Sequence, residues 1–395
     1  MGRLLENLRS FGREFRAVLG AEYRHLFTDM GAILILILAA LIYATLYSEA
    51  YSPEVLRNVP VGVIDHSRTA ASRRLTELFT AGPNMRVVCE PADMAEAEAL
   101  FYARRIHGVI YIPADYEREL LAGRQAVVSL YLDASYFLMY RQVFQEAVAS
   151  VNATGAAIEW NRLVARGAQI PQARAITQPV IYQSHNLFNP YLGYGTFVMP
   201  AILVIILQQT LLIGVGMTGG TWREQGLYKK LVPAGSERLS ATALLAAKTF
   251  AYGSIYAVTT TYLFSVHYPL FHYPMNGNPT TAAALLGSYL LACILMATAL
   301  STLFRYREQS LMFLLWTSIP ILLLSGASLP PESMPEWLFR FGKIFPSSSA
   351  IPAFVRVQSM GASFGDILPE MRQLWRLALL YGLLAWLGLR RVTSR

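Results

Sequence analysis

The chain has 395 residues, of which 54% are apolar and only 15% are charged, and its formal net charge is +8. A soluble globular chain carries roughly 25% charged residues, so this composition excludes an ordinary soluble enzyme and a disordered chain. Two cysteines are too few for a disulfide scaffold, and no Cys/His cluster has zinc spacing. The composition indicates a membrane protein that also carries a substantial polar part.

Apolar segments that we predict to be membrane spans occur once before the polar stretch and five times after it. The first span is predicted to be an uncleaved anchor, because its apolar run is longer than that of a signal peptide. Proline is expected to interrupt the second span at Pro200, and the last two spans are short. The predicted spans are 26–47, 191–217, 239–266, 281–304, 311–326 and 374–389.

The distribution of basic residues predicts the orientation. With the N-terminus inside, the inner segments carry 15 basic and 7 acidic residues, whereas the outer segments carry 18 of each. The whole net charge then lies on one face, as the positive-inside rule requires. Both termini are therefore predicted to be cytoplasmic in a bacterial inner (plasma) membrane. The basic character reflects topology and anionic membrane lipid, and nucleic acid is not an expected partner.

Residues 1–25 have the pattern of an amphipathic helix, with apolar residues recurring at spacings of three and four. We predict a cytoplasmic helix that lies in the membrane interface. A helix packed on protein is the alternative.

The polar segment 48–190 is predicted to be a periplasmic α/β domain with a long helical stalk. Strand patterns alternate with helical patterns, which favours a largely parallel sheet. The stalk is expected over about 136–166, with a break at Gly155, and its aromatic stripe is interpreted as core or stalk packing. The strand patterns are 59–64, 85–89, 107–112 and 126–132, and the stripe comprises Tyr136, Phe137, Tyr140 and Phe144.

Catalytic patterns are missing from the sequence. Asp65 and His66 are adjacent at a strand end, which is no evidence of a triad, and Asp65 is expected to cap the next helix or turn. His267 and His272 are a poor metal-ligand pair. No GxGxxG or Walker-type phosphate loop occurs, so ATP cannot bind by that route. We predict no catalytic residue, metal or cofactor on this chain.

Two loops of the membrane domain 191–395 carry distinctive residues. The inner loop 218–238 has charged residues after Trp222 and is expected to form a short amphipathic helix that ends at Pro233. Such a helix suits docking of a partner, and a basic turn that holds phospholipid is the alternative. The outer loop 327–372 is rich in proline and is predicted to contain short or re-entrant helices near the membrane.

These loops resemble the signatures of type-2 ATP-binding-cassette (ABC) exporter permeases, a family with one span, a large external domain and five further spans. Leu227 and Lys229 depart from the inner signature, where threonine and glutamate are usual. The inner-loop matches are Arg223, Glu224, Gly226, Leu231 and Pro233. The outer-loop matches are Ser325, Gly326, Pro330, Met334 and Pro335.

The resemblance implies an α-helical membrane protein of six transmembrane helices (1+5) with an inserted α/β domain. It implies a permease subunit that moves a substrate outward, while ATP and Mg²⁺ bind a separate nucleotide-binding subunit. A hydrophobic or amphipathic substrate is preferred, because the spans carry no charge constellation that selects another cargo. A second permease copy, identical or related, and a periplasmic adaptor protein are further implied partners. The implied coupling residues are Trp222, Arg223, Glu224, Gln225, Gly226, Leu231 and Pro233.

Polar residues inside the predicted spans are candidates for function. Gln208 and Gln209 lie mid-span and could either bond across helices or line the translocation path. Lys248 and Arg376 lie near span ends and are expected to snorkel to the interface, although Arg376 could instead face a cavity.

Two other classes of function compete with export. A membrane-embedded transferase would need convergent acidic or histidine groups at the outer face, and none occurs in the sequence. A membrane-anchored sensor or scaffold with an external ligand-binding domain is the remaining alternative, but five closely spaced later spans exceed what anchoring requires.

Overall fold

A computed structural model describes residues 2–178, 180, 183–232, 239–326 and 333–394. The chain forms two compact units. One comprises residues 1–54 and 186–395, and the other comprises residues 55–185.

The larger unit begins with α1 (Gly2–Thr28) and α2 (Met30–Ala50), which includes a π-helical turn at Leu34–Leu38. Asp29 separates the two helices, and its carboxylate accepts hydrogen bonds from the first amides of α2. Arg307 forms an ion pair with the same carboxylate. This polar cap explains why the apolar run begins a new helix at residue 30, four residues later than the predicted start of the span.

The smaller unit is a four-stranded sheet flanked by helices. Its elements are β1 (Val59–Asp65), α3 (Ala70–Ala81), β2 (Met85–Cys89), α4 (Met94–Tyr102), β3 (Gly108–Ile112), α5 (Tyr116–Leu121), β4 (Ser129–Leu132), α6 (Phe137–Ala165) and α7 (Ile170–Thr177).

The strand order is β2-β1-β3-β4. β1 pairs in parallel with β2 and β3, and β4 is antiparallel to β3. β1 lies in the centre of the sheet, and both of its faces are covered, since four consecutive residues from Val61 to Ile64 are buried. Val61 and Val63 pack under α3 and α6 in one hydrophobic cluster. The fourth strand is shorter than predicted and starts at Ser129.

Two details of this unit differ from the sequence predictions. Helix α6 runs unbroken through Gly155, because intrahelical hydrogen bonds need no side chain at that position. The aromatic stripe is not core, since Phe137 is 69% exposed and Phe144 is 43% exposed, whereas Val143 and Ala147 supply the buried face. Asp65 does cap the turn before α3, where it accepts from the amides of Ser67 and Arg68.

The remaining elements belong to the larger unit. They are α8 (Tyr194–Glu224), α9 (Leu227–Lys230), α10 (Ala241–Tyr262), α11 (Pro279–Ser301), α12 (Arg307–Trp316), α13 (Ser318–Leu324), α14 (Glu336–Gly342), α15 (Ser347–Met360) and α16 (Leu368–Thr393).

Helix α8 is the centre of the larger unit. It is buried along most of its length and packs against α2, α11, α12 and α15. The carboxylate of Glu54 accepts hydrogen bonds from the amide and hydroxyl of Thr196 and so caps the start of this helix. Pro200 lies inside α8 without ending it, which corrects the predicted interruption, because the freed carbonyl lies in the first turns of the helix.

By length and apolarity, three of the described helices qualify as membrane spans, namely Met30–Ala50, Tyr194–Glu224 and Pro279–Ser301. Of the other predicted spans, 239–266 corresponds to α10 and the π-helical turn Leu263–His267 that follows it. The fifth is divided at Thr317 into α12 and α13. The sixth predicted span lies in the 26-residue helix α16. This helix is longer than the apolar run 374–389, because turns with charged residues extend it at both ends.

Candidate functional site

The inner loop begins later than predicted. Helix α8 continues to Glu224, so that Gly219 and Gly220 are helical and closely packed. The chain then turns at Gly226, whose φ of 66° places it in the left-handed region that ends helices. The four-residue helix α9 follows. The charged turn is therefore held on the end of a long, buried helix rather than on a free loop.

Side chains of this turn divide into an inward and an outward set. Trp222 and Tyr228 are buried, and their rings lie 5.4 Å apart between centroids. Trp222 therefore cannot lie in the membrane interface or contact a docked partner directly, which corrects its predicted place in the coupling contact. Leu231 is half-buried, and Pro233 lies outside the described residues. The exposed set is Glu224, Gln225, Lys229 and Lys230.

Arg223 has a partner within the chain. Its guanidinium donates to the carbonyl oxygens of Thr302 and Phe304, at 2.9 and 3.1 Å. These carbonyls follow the C-terminal end of α11, where a cation stabilises free carbonyl groups and the helix dipole. Arg223 therefore fastens the end of α8 to the end of α11.

Beneath the turn lies a buried ion pair. The ammonium of Lys248 on α10 lies 2.9 and 3.0 Å from the two carboxylate oxygens of Glu22 on α1. The same carboxylate accepts the hydroxyl of Tyr252, which also bonds Thr218 on α8 at 2.6 Å. Lys248 is 1% exposed and does not snorkel, contrary to prediction, because Glu22 neutralises it inside the protein.

The ammonium of Lys248 also lies 4.3 Å from the centroid of the Trp222 ring. A cation over an indole face is attracted to the ring electrons, and the attraction grows when both groups are removed from water. The ion pair therefore contacts the residue that precedes the exposed turn. We did not identify this group from the sequence, although Glu22 lies four residues after Val18 on the apolar face of α1.

Helix α1 packs on protein along its C-terminal half. Val18 and Glu22 are fully buried, and the carboxylate of Glu14 accepts the amide of Ser240 at 2.9 Å. The hydroxyl of Tyr23 bonds that of Ser254 at 2.6 Å. These contacts favour the alternative that α1 is a helix docked on the membrane unit.

Gln208 bonds across helices. It is fully buried, and its Oε1 accepts the amide of Ser347 at 2.9 Å. That amide is one of the unpaired donors at the start of α15, so the side chain of α8 caps another helix. The thiol of Cys293 lies 3.7 Å from the same oxygen. Gln208 is therefore a structural contact in this conformation.

Gln209 lies beside a cavity of about 580 Å³ between α2, α8 and α12. Its Oε1 accepts the hydroxyl of Ser318 at 3.4 Å, while its Nε2 is buried without a partner among the described residues. The rest of the lining is mostly aliphatic or aromatic, including Ile42, Tyr43 and Leu315. This cavity can take an apolar molecule.

The described part of the outer loop belongs to the larger unit and contacts its last helix. Ser325 and Gly326 follow α13, with Gly326 at a φ of 80°, and Met334 and Pro335 precede α14. Pro330 lies outside the described residues. The turn between α14 and α15 packs against the middle of α16, because the hydroxyl of Tyr381 donates to the carbonyl of Ile344 at 2.6 Å.

Within the described residues, no group of three or more histidine, cysteine, aspartate or glutamate side chains could hold a metal ion. Arg376 is an exposed residue of α16.

Comparison with known proteins shows which family the chain resembles. Residues 30–387 match the family described as "ABC-2 family transporter protein". The chain is 24% identical to the "Inner membrane transport permease YhhJ" of Escherichia coli (strain K12), over 98% of each chain. It is 23% identical to the "Probable multidrug ABC transporter permease YbhR" of the same organism, over 77% of this chain and 78% of the relative.

Proposed function

Because the chain belongs to the ABC-2 family of transporter proteins, we propose that it is the membrane subunit of an ATP-driven exporter in a bacterial inner membrane. A separate nucleotide-binding subunit binds ATP and Mg²⁺ and hydrolyses the nucleotide, and this chain converts that subunit's movement into transport. A second permease copy completes the pair.

Six membrane crossings fit the larger unit. Beyond the three most apolar helices, α10 with its π-helical turn, the divided α12–α13 and α16 supply the other three. Helix α16 has 26 residues, and such a helix is about 39 Å long, enough to cross a hydrocarbon core of about 30 Å. Both termini then lie inside, and residues 55–185 lie outside as a periplasmic unit that an adaptor protein can contact.

The observation that carries this function is the exposed turn on the end of a buried helix. Glu224 and Gln225 face solvent, while Trp222 and Arg223 tie the same turn to α10 and α11. A partner that pushes on Glu224 therefore displaces α8 as a whole, because the close packing around α8 has low compressibility and transmits strain. This is the mechanical property that a coupling helix requires.

The cavity beside Gln209 supports a hydrophobic or amphipathic cargo. It lies against α8, the helix that the turn would move, and its walls are mostly apolar. One relative is named as a probable multidrug ABC transporter permease, which is consistent with such a cargo.

The test is Glu224→Ala in the full-length chain, expressed with the nucleotide-binding subunit from the same genome neighbourhood. Glu308→Ala is the matched control, because Glu308 is also an exposed carboxylate placed inside by the proposed orientation. We expect Glu224→Ala to lower co-purification of the ATPase subunit and transport-linked ATP hydrolysis at least fivefold, with normal folding. Full transport in this variant would contradict the coupling role of Glu224.

A further inference from the structure

A second cavity, of about 550 Å³, lies where the end of α11 meets the last turns of α16. Four leucines and a glycine form its apolar walls, and three arginines contribute to its lining. Gly388 allows the two helices to touch at its floor, since a Cβ there would lie 2.3 Å from the hydroxyl of Thr302. The leucines are Leu300, Leu303, Leu384 and Leu387, and the arginines are Arg223, Arg305 and Arg391.

The charge of this cavity is uncompensated. Arg305 and Arg391 are exposed, and neither guanidinium has a hydrogen bond or ion pair to any described residue. No acidic residue belongs to the described lining. The neighbouring Arg390 differs, because its guanidinium lies 5.5 Å from the Trp386 ring centroid and outside the cavity. The site therefore presents unused cationic donors over an apolar wall.

We propose that this cavity binds an anionic phospholipid of the inner leaflet. The guanidinium groups of Arg305 and Arg391 hold the phosphate, for which their forked donors are well suited. One acyl chain lies along the leucines, with Leu303 being 69% exposed and available to it. Basic pockets between membrane helices on the cytoplasmic side are suited to such headgroups.

The leucine wall is the reason to choose a lipid over other anions. A free phosphate ion or an acidic protein segment would gain nothing from four leucine side chains, whereas an acyl chain gains apolar contact along its length. The inference rests on the proposed orientation, which places the ends of α11 and α16 at the inner leaflet. It requires neither the ATPase subunit nor export.

The test is native mass spectrometry of the purified full-length chain in mild detergent, titrated with dioleoyl phosphatidylglycerol and, separately, dioleoyl phosphatidylcholine. We expect phosphatidylglycerol to bind more tightly. Each basic residue near a membrane surface adds about a fivefold gain in affinity, so Arg305→Gln with Arg391→Gln should weaken binding about 25-fold. Arg305→Lys with Arg391→Lys should retain most of it, and Arg390→Gln is the matched control. Size-exclusion profiles check folding.

Three outcomes would overturn the proposal. Equal binding of the two lipids would show that charge does not select the occupant. Unchanged phosphatidylglycerol binding in the glutamine double variant would exclude these arginines. Inorganic phosphate that competes at millimolar concentration, with no dependence on Leu303→Asn or Leu387→Asn, would identify an anion site without an acyl chain. Because the measurement uses the isolated chain, failure here leaves the coupling experiment on Glu224 unaffected.

Discussion

Glu22 and Lys248 are 226 residues apart in the chain, yet their charged groups meet at 2.9 Å inside the protein. Both side chains are withdrawn from solvent, at 0% and 1% exposure. The pair joins α1 to α10, and Tyr252 and Trp222 extend it to α8. Helix α8, which carries the exposed turn, is therefore connected to α1 through this buried ion pair and the two aromatic residues.

Breaking this pair should destabilise the chain strongly. Lys248→Met leaves the Glu22 carboxylate buried without its counter-charge, which costs about 3–5 kcal/mol. Glu22→Leu combined with Lys248→Met removes both charges and should recover much of the loss. The measurement is the thermal unfolding midpoint in detergent, with the exposed Lys229→Met as control. A double variant as unstable as Lys248→Met would contradict this explanation.

Trp222 should matter for stability rather than for partner contact. Trp222→Ala removes a fully buried ring and the cation contact of Lys248, and large-to-small changes of this kind cost about 3–5 kcal/mol. We expect a lower unfolding midpoint, whereas Gln225→Ala, at an exposed position, should leave it unchanged. If Trp222→Ala abolished ATPase binding with an unaltered midpoint, our assignment of this side chain to the interior would be wrong.

Gln208 and Gln209 should behave differently although they are adjacent. Gln208→Leu removes the acceptor for the buried amide of Ser347, and an unpaired buried donor costs about 1–3 kcal/mol. Hydrogen exchange at the start of α15 should therefore rise in this variant.

Gln209→Leu is the matched comparison for that experiment. It should leave exchange at Ser347 unchanged, because Gln209 contacts Ser318 and the cavity instead. On the proposed function it should alter the range of compounds exported. Equal exchange in both variants would count against the capping role of Gln208.

Gly277 is required where two chain segments touch. A Cβ at this position would lie 2.4 Å from the carbonyl oxygen of Val357 on α15, which is backbone and cannot move aside cheaply. Gly277→Ala should therefore cost about 1–3 kcal/mol. In Gly287→Ala the added methyl meets open space inside α11 and should stabilise by up to about 1 kcal/mol. The measurement is the unfolding midpoint of each variant. Equal midpoints would contradict the predicted clash between a Cβ at position 277 and the carbonyl oxygen of Val357.

Local pattern was enough to predict many elements. The strand patterns at 59–64, 85–89 and 107–112 coincide with β1, β2 and β3, because alternation and turn residues act over a few positions. The sequence predictions were wrong where tertiary packing, rather than local pattern, determines the structure. Gly155 and Pro200 were expected to interrupt helices and did not, since neighbouring turns supply the hydrogen bonds. The aromatic residues of α6 are interpreted from their type as core or stalk packing, whereas Phe137 and Phe144 are exposed.

Hydropathy and charge bias are properties of the linear chain, and they predict a membrane protein. Two short motifs carry its resemblance to the ABC-2 family, and the family match over residues 30–387 establishes its membership. The contacts of individual polar residues follow from the folded arrangement of the helices. Lys248 is an ion-pair partner rather than a snorkelling residue, and Trp222 is its buried neighbour rather than a surface contact. The physical reason is that the cost of burying a charge depends on its partners, and the partner of Lys248 lies on a helix far away in the chain.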